Sequence, residues 1–293
     1  MLNTESPSSQ HTDLDQYTAE QLVDAFVSDQ ITAVNAVRAA GVQIAEAVTA
    51  AVPRIKQGGR LVYVGAGTSG RLGVLDSVEL LPTFSWPKER AVAMLAGGQT
   101  AMFEAVEGAE DDIGLGLADV QALNVGPLDV VLLLAASGTT PYVMGALYAA
   151  KSAGALTIGF ANNPGAPVSS AADIGITLDT GAEVISGSTR LKAGTSQKIA
   201  LNTFSSSLMV KLNKVYGNLM VDLKPTNAKL LKRAVALTMF ATGADEQTAE
   251  STLAACEHHV KVAIVAIKKQ IDVEQAKALL EQVEGNVRLA LLK

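Results

Sequence analysis

Cysteine occurs once in the 293 residues, at Cys256, so no intramolecular disulfide can form, and this usage fits a reducing cytosol. Aromatic residues make up only 4% of the chain, which leaves Ala, Val and Leu to build an aliphatic, helix-rich core. The three histidines, His11, His258 and His259, stand in no metal-ligand spacing, and the adjacent pair would face different sides of a helix. Long apolar runs are missing as well. The stretch from Leu128 to Ala136 is interrupted by Asp129 and is too short to cross a bilayer. The first residues, Asn3, Thr4, Glu5 and Ser6, are polar and show no signal-peptide apolar region. Lys and Arg are outnumbered 23 to 29 by Asp and Glu, and the net charge of −6 disfavours nucleic acid or an acidic membrane surface as a main partner. What remains, with 48% hydrophobic and 18% charged residues, is the composition of a soluble, cytoplasmic, enzyme-like chain.

The sequence is punctuated by a glycine-rich stretch, Leu61-Val62-Tyr63-Val64-Gly65-Ala66-Gly67-Thr68-Ser69-Gly70-Arg71. An apolar run feeds a helical pattern through a turn with few side chains, which is how backbone N–H groups are presented to an anion. Gly65-x-Gly67-x-x-Gly70 also reads as a dinucleotide fingerprint. That fingerprint wants a carboxylate closing the next strand to hold a ribose. The run Ala91 to Leu95 ends instead in Ala96-Gly97-Gly98. Thr68 and Ser69 place two hydroxyls in the turn, so a phosphate monoester fits better than a dinucleotide.

Around this stretch the chain alternates between strands and helices, the pattern of a parallel sheet covered on both faces. After a polar arm over 1–17, helices are expected at 19–28 and 32–56. Strands are expected at 60–64, 91–95, 129–135, 155–160 and 173–178. Helices at 69–80, 99–106, 112–123, 141–152 and 164–171 come between them, and a long helix at 196–216 follows. Residues 217–225 read as a boundary. Five helical patterns at 226–241, 246–254, 257–269, 272–281 and 284–292 then form an all-helical C-terminal part, a small three-helix bundle after a longer helix. Ligands sit at the carboxyl ends of strands in such sheets, which points to the loops at 65–70, 96–99, 136–141 and 161–165.

The second hydroxyl-rich loop, Ser137-Gly138-Thr139-Thr140-Pro141, repeats the position of the first, and two such loops at strand ends favour an anion site. A third segment, Gly181 to Thr195, mixes hydroxyls with Arg190 and Lys192. Carboxylates offer the acid–base chemistry: Asp76 and Glu79 three apart on the helix after the glycine turn, and Glu104, Glu107, Glu110, Asp111 and Asp112 in a cluster. Acidic clusters are more often solvated faces or helix caps, and Asp111 or Asp112 suits a cap.

Several stretches together resemble one family. Gly65-Ala66-Gly67-Thr68-Ser69-Gly70-Arg71-Leu72-Gly73-Val74-Leu75-Asp76 is similar to the opening of the sugar isomerase (SIS) domain of N-acetylmuramic acid 6-phosphate etherases. The likeness continues in Pro82-Thr83-Phe84, Ala105-Val106-Glu107-Gly108-Ala109-Glu110-Asp111, Ala135-Ala136-Ser137-Gly138 with Thr140-Pro141-Tyr142, Gly187 to Thr195 and Gly217 to Asp222. The arm, with Thr4-Glu5 and Leu14-Asp15, is similar too. The resemblance implies an α/β fold with a SIS-type parallel-sheet sandwich flanked by helices and an all-helical C-terminal subdomain that ends in a ubiquitin-associated-like bundle. The expected division is 1–50 for the arm and first helices, 51–216 for the sugar-phosphate domain and 217–293 for the C-terminal helices.

It also implies cleavage of the lactyl ether of N-acetylmuramic acid 6-phosphate in peptidoglycan recycling, with Glu79 as the acid and Glu110 as the base. Phosphate binding falls to Gly67, Thr68, Ser69, Ser137, Gly138, Thr139, Thr140 and Lys192. No metal or redox cofactor is expected, and the implied assembly is a homodimer. The chain departs from the family pattern at Val78, Leu80, Leu81 and Thr139. A sugar-phosphate isomerase, or a non-catalytic sugar-phosphate sensor like the related glucokinase regulatory protein, would use the same fold. The pair Glu79 and Glu110 favours the etherase, since a sensor needs no proton-transfer groups.

Overall fold

The computed structural model describes residues 2–223, 225 and 227–293. Lys224, inside the expected boundary segment, and Thr226, at the start of an expected helix, lie outside the described residues. The chain divides into two compact units, Met1–Val78 with Lys88–Ser206, and Glu79–Pro87 with Ser207–Lys293.

The first unit is built on five parallel strands, β1 (Leu61–Gly65), β2 (Ala91–Leu95), β3 (Val130–Leu134), β4 (Leu156–Ala161) and β5 (Ile174–Thr177), in the order β2-β1-β3-β4-β5. Every residue of β1, β3 and β4 is buried, as strands covered on both faces must be, and this is why they read as unbroken apolar runs. The helices are α1 (Ala19–Ala39), α2 (Gly41–Lys56), α3 (Gly67–Phe84), α4 (Ile113–Ala122), α5 (Pro141–Ser152), α6 (Pro167–Ala171) and α7 (Lys192–Lys211), with the unit boundaries falling inside α3 and α7. One core joins Val62, Val64, Val131 and Leu133 of the sheet to Tyr142, Val143, Ala146 and Leu147 of α5. Leu61, Gly65 and the partner residues of Gly65, Leu95 and Leu134, show that β1, β2 and β3 end level.

Three expectations are corrected. The break at 28–32 is absent, because the helix runs on to Ala39 and a new one starts at Gly41. Asp29, within this continuous helix, pairs with Lys192. Second, the helix expected at 99–106 is a single short 3₁₀ turn, Gly98–Met102. Gly97 and Gly98 both have positive φ, 84° and 66°, so the chain enters this segment through a sharp turn. Third, α7 starts at Lys192, four residues before its expected start at 196, and ends at Lys211. The buried Glu183 carboxylate accepts the Lys192 and Ala193 N–H groups at 3.1 and 2.9 Å, capping the helix from upstream.

In the second unit the chain forms a two-stranded hairpin, β6 (Val215–Tyr216) and β7 (Leu219–Met220), where sequence gave only a helix end and a boundary. Helices α8 (Ala228–Thr242), α9 (Glu246–Ala255), α10 (Val260–Lys269), α11 (Val273–Glu281) and α12 (Val287–Leu292) follow. The α10 helix is the centre of this unit: it buries Val260 and Val262 through Ala266 against α8, α9, α11 and α12. Asn227, Asp245, Asp272 and Asn286 each accept the N–H three residues ahead, and each such cap is worth about 1 kcal/mol.

Candidate active site

The sheet grows from β1 outward to β2, then reverses to β3, β4 and β5, so β1 and β3 flank the topological switch point. Ligands of open α/β sheets bind there, outside the carboxyl ends of the strands. A cavity of about 370 Å³ occupies this position. Its walls come from Gly67, Thr68 and Ser69 after β1, Ser137, Thr139 and Thr140 after β3, Glu110 and Asp111, Glu5 of the arm, and Thr189.

The first wall is the start of α3. A Cβ on Gly65 would lie 2.7 Å from the backbone of Gly70, and one on Gly70 would lie 2.7 Å from the Gly65 carbonyl oxygen. Two glycines therefore let strand and helix meet directly, and the first helical turn, Gly67 to Ser69, lines the cavity at the end of the helix that carries the positive dipole. The second wall is the start of α5. Pro141 occupies its first turn, and Thr140 is the N-cap residue without using its side chain to cap. Gly138, at φ 75°, folds the loop back against Ala166, whose Cβ a side chain at 138 would meet at 2.3 Å. Ser137 Oγ accepts from the Thr139 N–H and hydroxyl, both at 3.2 Å, which fixes the loop's shape.

The third wall is a 3₁₀ turn, Ala109–Asp111, entered through Gly108 at φ 71°. Asp112 caps α4 by accepting the Leu115 N–H at 2.9 Å. Glu110 and Asp111 are not spent on that cap and line the cavity, both exposed. No Lys or Arg is among the described lining residues. An anion here meets neutral donors and two helix N-termini, each dipole contributing about 0.3–1 kcal/mol. Among the described residues, no group of three or more His, Cys, Asp and Glu side chains is placed to hold a metal ion.

Comparison with known proteins gives a consistent answer. The model for the glucokinase regulatory protein N-terminal SIS domain matches residues 43–151, and the model for the SIS domain matches residues 112–207. An N-acetylmuramic acid 6-phosphate etherase of Deinococcus radiodurans is 57% identical over 98% of this chain and 94% of its own. One of Lactobacillus johnsonii is 46% identical over 98% of this chain and 96% of its own. One from Vibrio parahaemolyticus, bearing the same name with the number 2, is 45% identical over 99% and 97%. The chain belongs to the N-acetylmuramic acid 6-phosphate etherase family.

The cavity of this family member thus brings together Gly67, Thr68, Ser69, Glu110, Ser137, Thr139 and Thr140 from the residues that sequence singled out. Gly138 shapes the second loop from behind without lining the space. Lys192 is elsewhere: it is buried, with its Nζ 2.7 Å from Asp29 Oδ1. Glu79 belongs to the second unit, where its side chain is exposed on α3. Asp76, one turn earlier in the first unit, is buried and accepts hydrogen bonds from Tyr63, Asn202 and Ser205 at 2.9, 2.8 and 3.2 Å. Burial raises its pKa despite those three donors. It holds β1, α3 and α7 together, a positioning role for the helix whose first turn forms the cavity wall. Sequence reading offered Asp111 as a cluster carboxylate or a helix cap and assigned no role to Glu5 or Thr189, although all three lie in stretches that carry the family resemblance.

Proposed function

We propose that this protein cleaves the D-lactyl ether of N-acetylmuramic acid 6-phosphate, giving N-acetylglucosamine 6-phosphate and D-lactate. The observation that carries this reading is a cavity with no cation among its described lining residues, bounded by two helix N-termini and Glu110, in a chain 57% identical to an etherase of that name. The sugar's phosphate is held by the first turn of α3 and the Ser137–Thr140 loop. The sugar then extends toward the carboxylates, away from the positive helix ends.

An alkyl ether resists direct hydrolysis, but the lactyl oxygen on C3 is β to the latent aldehyde at C1. In the open-chain sugar that carbonyl acidifies the C2 proton. Glu110, as carboxylate, removes this proton, and an acid protonates the departing lactate oxygen; water then adds across the resulting double bond. The family resemblance assigns the acid to Glu79. The two groups must start in opposite protonation states, which requires different surroundings. Fixing the phosphate supplies orientation, and well-positioned reacting groups reach effective molarities of about 10⁵–10⁸ M. The chemistry needs no metal or redox group.

A homodimer is part of this reading. Val23, Val27 and Ile31 follow one another at four-residue steps along α1 and are each about two-thirds exposed (64, 65 and 64%), an apolar stripe suited to a second copy. A cytoplasmic site of action in peptidoglycan recycling accords with the single buried cysteine and with the absence, among the described residues, of any helix long and apolar enough to cross a membrane. The test is release of D-lactate from N-acetylmuramic acid 6-phosphate by the purified protein. Wild-type-like release from both Glu79→Ala and Glu110→Ala would overturn the assignment of roles. Light scattering reads the dimer, and a monomer at micromolar concentration would contradict it.

A further inference from the structure

The sugar-phosphate cavity has a wall that comes from the far N-terminus. The arm is fixed onto the first unit at several points. Thr4 is fully buried; its N–H donates to Asn163 Oδ1 at 3.2 Å, and its hydroxyl accepts from Asn163 Nδ2 at 3.0 Å. Asn3 Nδ2 donates to Asp179 Oδ1 at 3.3 Å, and the Ser8 N–H to Ser186 Oγ at 3.2 Å. A polar segment of this kind has no apolar reason to dock, since its one buried residue is a threonine held by an amide.

Asn163 does more than hold the arm. The same Nδ2 donates to the Ala136 carbonyl at 3.0 Å and the Ser137 carbonyl at 3.4 Å. One buried amide thereby ties the arm to the loop that follows β3. Glu5 is the next residue after the pinned Thr4, and it lines the cavity shared by Gly67, Thr68, Ser69 and Glu110. Its carboxylate lies over Gly187, where even an added Cβ would stand 3.4 Å from Glu5 Oε2.

A carboxylate in this position repels a phosphate and attracts O–H and N–H donors. The cavity lining therefore holds two chemically distinct sets of groups: neutral donors at the helix starts, and acceptors at Glu5, Glu110 and Asp111. A sugar phosphate has the matching halves. Glu110 is assigned to proton transfer, and Asp111 shares its short turn. Glu5 reaches the cavity from a separate segment, through a dedicated buried tie to the phosphate loop.

We infer that Glu5 is a further substrate-binding residue, which accepts hydrogen bonds from the hydroxyl or amide donors of the sugar, and that Thr4 is its positioning residue. This rests on the sugar-phosphate reading of the cavity. The Thr4–Asn163–Ser137 link makes the sugar contact and the phosphate loop parts of one frame, so the arm discriminates a sugar phosphate from phosphate alone.

The experiment is calorimetric titration of the full-length protein with N-acetylglucosamine 6-phosphate and, separately, with inorganic phosphate. Losing a hydrogen bond to a charged group predicts that Glu5→Ala weakens the sugar phosphate about tenfold or more. Inorganic phosphate should bind Glu5→Ala as well as wild type or better, because a like charge has been removed. Glu5→Gln, which keeps one acceptor, should fall between Glu5→Ala and wild type. Thr4→Val keeps Glu5 and the backbone N–H bond to Asn163 Oδ1 but removes the hydroxyl that accepts from Asn163 Nδ2, and should weaken the sugar phosphate while leaving phosphate unchanged. Equal affinity of Glu5→Ala and wild type for the sugar phosphate would overturn the role of Glu5. So would parallel loss of both ligands, which would mark the arm as structural. Wild-type protein that binds neither ligand would overturn the reading of the cavity itself, and the role of Glu5 with it.

Discussion

The two edges of the parallel sheet treat charge in opposite ways. At the amino edge, Asp129 precedes β3 and its carboxylate binds the Arg60 guanidinium, with Oδ2 2.6 Å from Nη2, and also the Arg60 and Gly126 N–H groups at 2.9 and 3.0 Å. Asp173, just before β5, accepts from the Thr157 N–H and hydroxyl and pairs with Lys151 at 3.3 Å. These carboxylates have cations and donors enough. At the carboxyl edge, Glu5, Glu110 and Asp111 line a cavity with no cation among its described lining residues, beside two helix starts. Satisfied charge belongs to the framework, whereas carboxylates held open next to free donors are what a reaction needs.

The largest effect expected is at the carboxyl edge. Glu110→Gln keeps the shape of the side chain and removes its basicity, so D-lactate release should fall about 10²–10⁴-fold with the fold intact. Circular dichroism alongside the rate separates chemistry from misfolding, and a rate near wild type would break the comparison at its most important point.

Next comes the turn that makes the open edge. Gly65→Ala would push a Cβ against the Gly70 backbone at 2.7 Å, where no side chain can move aside. It should cost about 1–3 kcal/mol in urea unfolding and weaken sugar-phosphate binding together. Gly138→Ala should act similarly, through its φ of 75° and the Ala166 contact. Unchanged affinity in both would show that the loops do not form the phosphate site.

The amino edge should answer only in stability. Asp129→Asn leaves Arg60 without its carboxylate and should lose about 1–3 kcal/mol at pH 7 with little change in ligand affinity. Burial opposes ionisation of Asp129, but the Arg60 guanidinium and the backbone N–H groups prevail, so its folded pKa lies below the usual carboxylate value. A depressed folded pKa stabilises the protein above the unfolded value of about 3.9, and that stabilisation is lost as pH falls through the folded value. The gap between wild type and Asp129→Asn should therefore narrow on acidification below about pH 4. A gap constant with pH would contradict the ion-pair account.

The smallest effect is Lys151→Met. Its partner Asp173 is 40% exposed and keeps both Thr157 donors, so the change should stay within about 1 kcal/mol and leave binding alone.

What sequence could reveal follows the range of the interactions. The strands were legible because double-sided burial leaves unbroken runs such as Val130 to Leu134. The two loops were legible because glycines, hydroxyls and Pro141 sit beside those runs. The start of α7 was not, because its cap is a glutamate nine residues upstream of Lys192. Lys192 looked like an anion ligand in a basic, hydroxyl-rich segment, and its pairing with Asp29, 163 residues away, has no local signature. Glu5 is the same case in reverse. A polar terminus usually reads as a loose arm, and contacts such as that of Thr4 with Asn163, 159 residues beyond it, make it part of the cavity. The hairpin at β6 and β7 has two residues per strand, too few for any alternation to register.

The central claim is that the carboxyl edge performs elimination from C2 and C3 of a phosphorylated sugar, followed by addition of water. Turning over N-acetylmuramic acid 6-phosphate in deuterated, ¹⁸O-enriched water and analysing both products by mass spectrometry tests it directly. The account predicts unlabelled D-lactate, with the deuterium at C2 and the ¹⁸O at C3 of the sugar. Isotope in the lactate oxygen with none at C3, or no lactate at all, would contradict it.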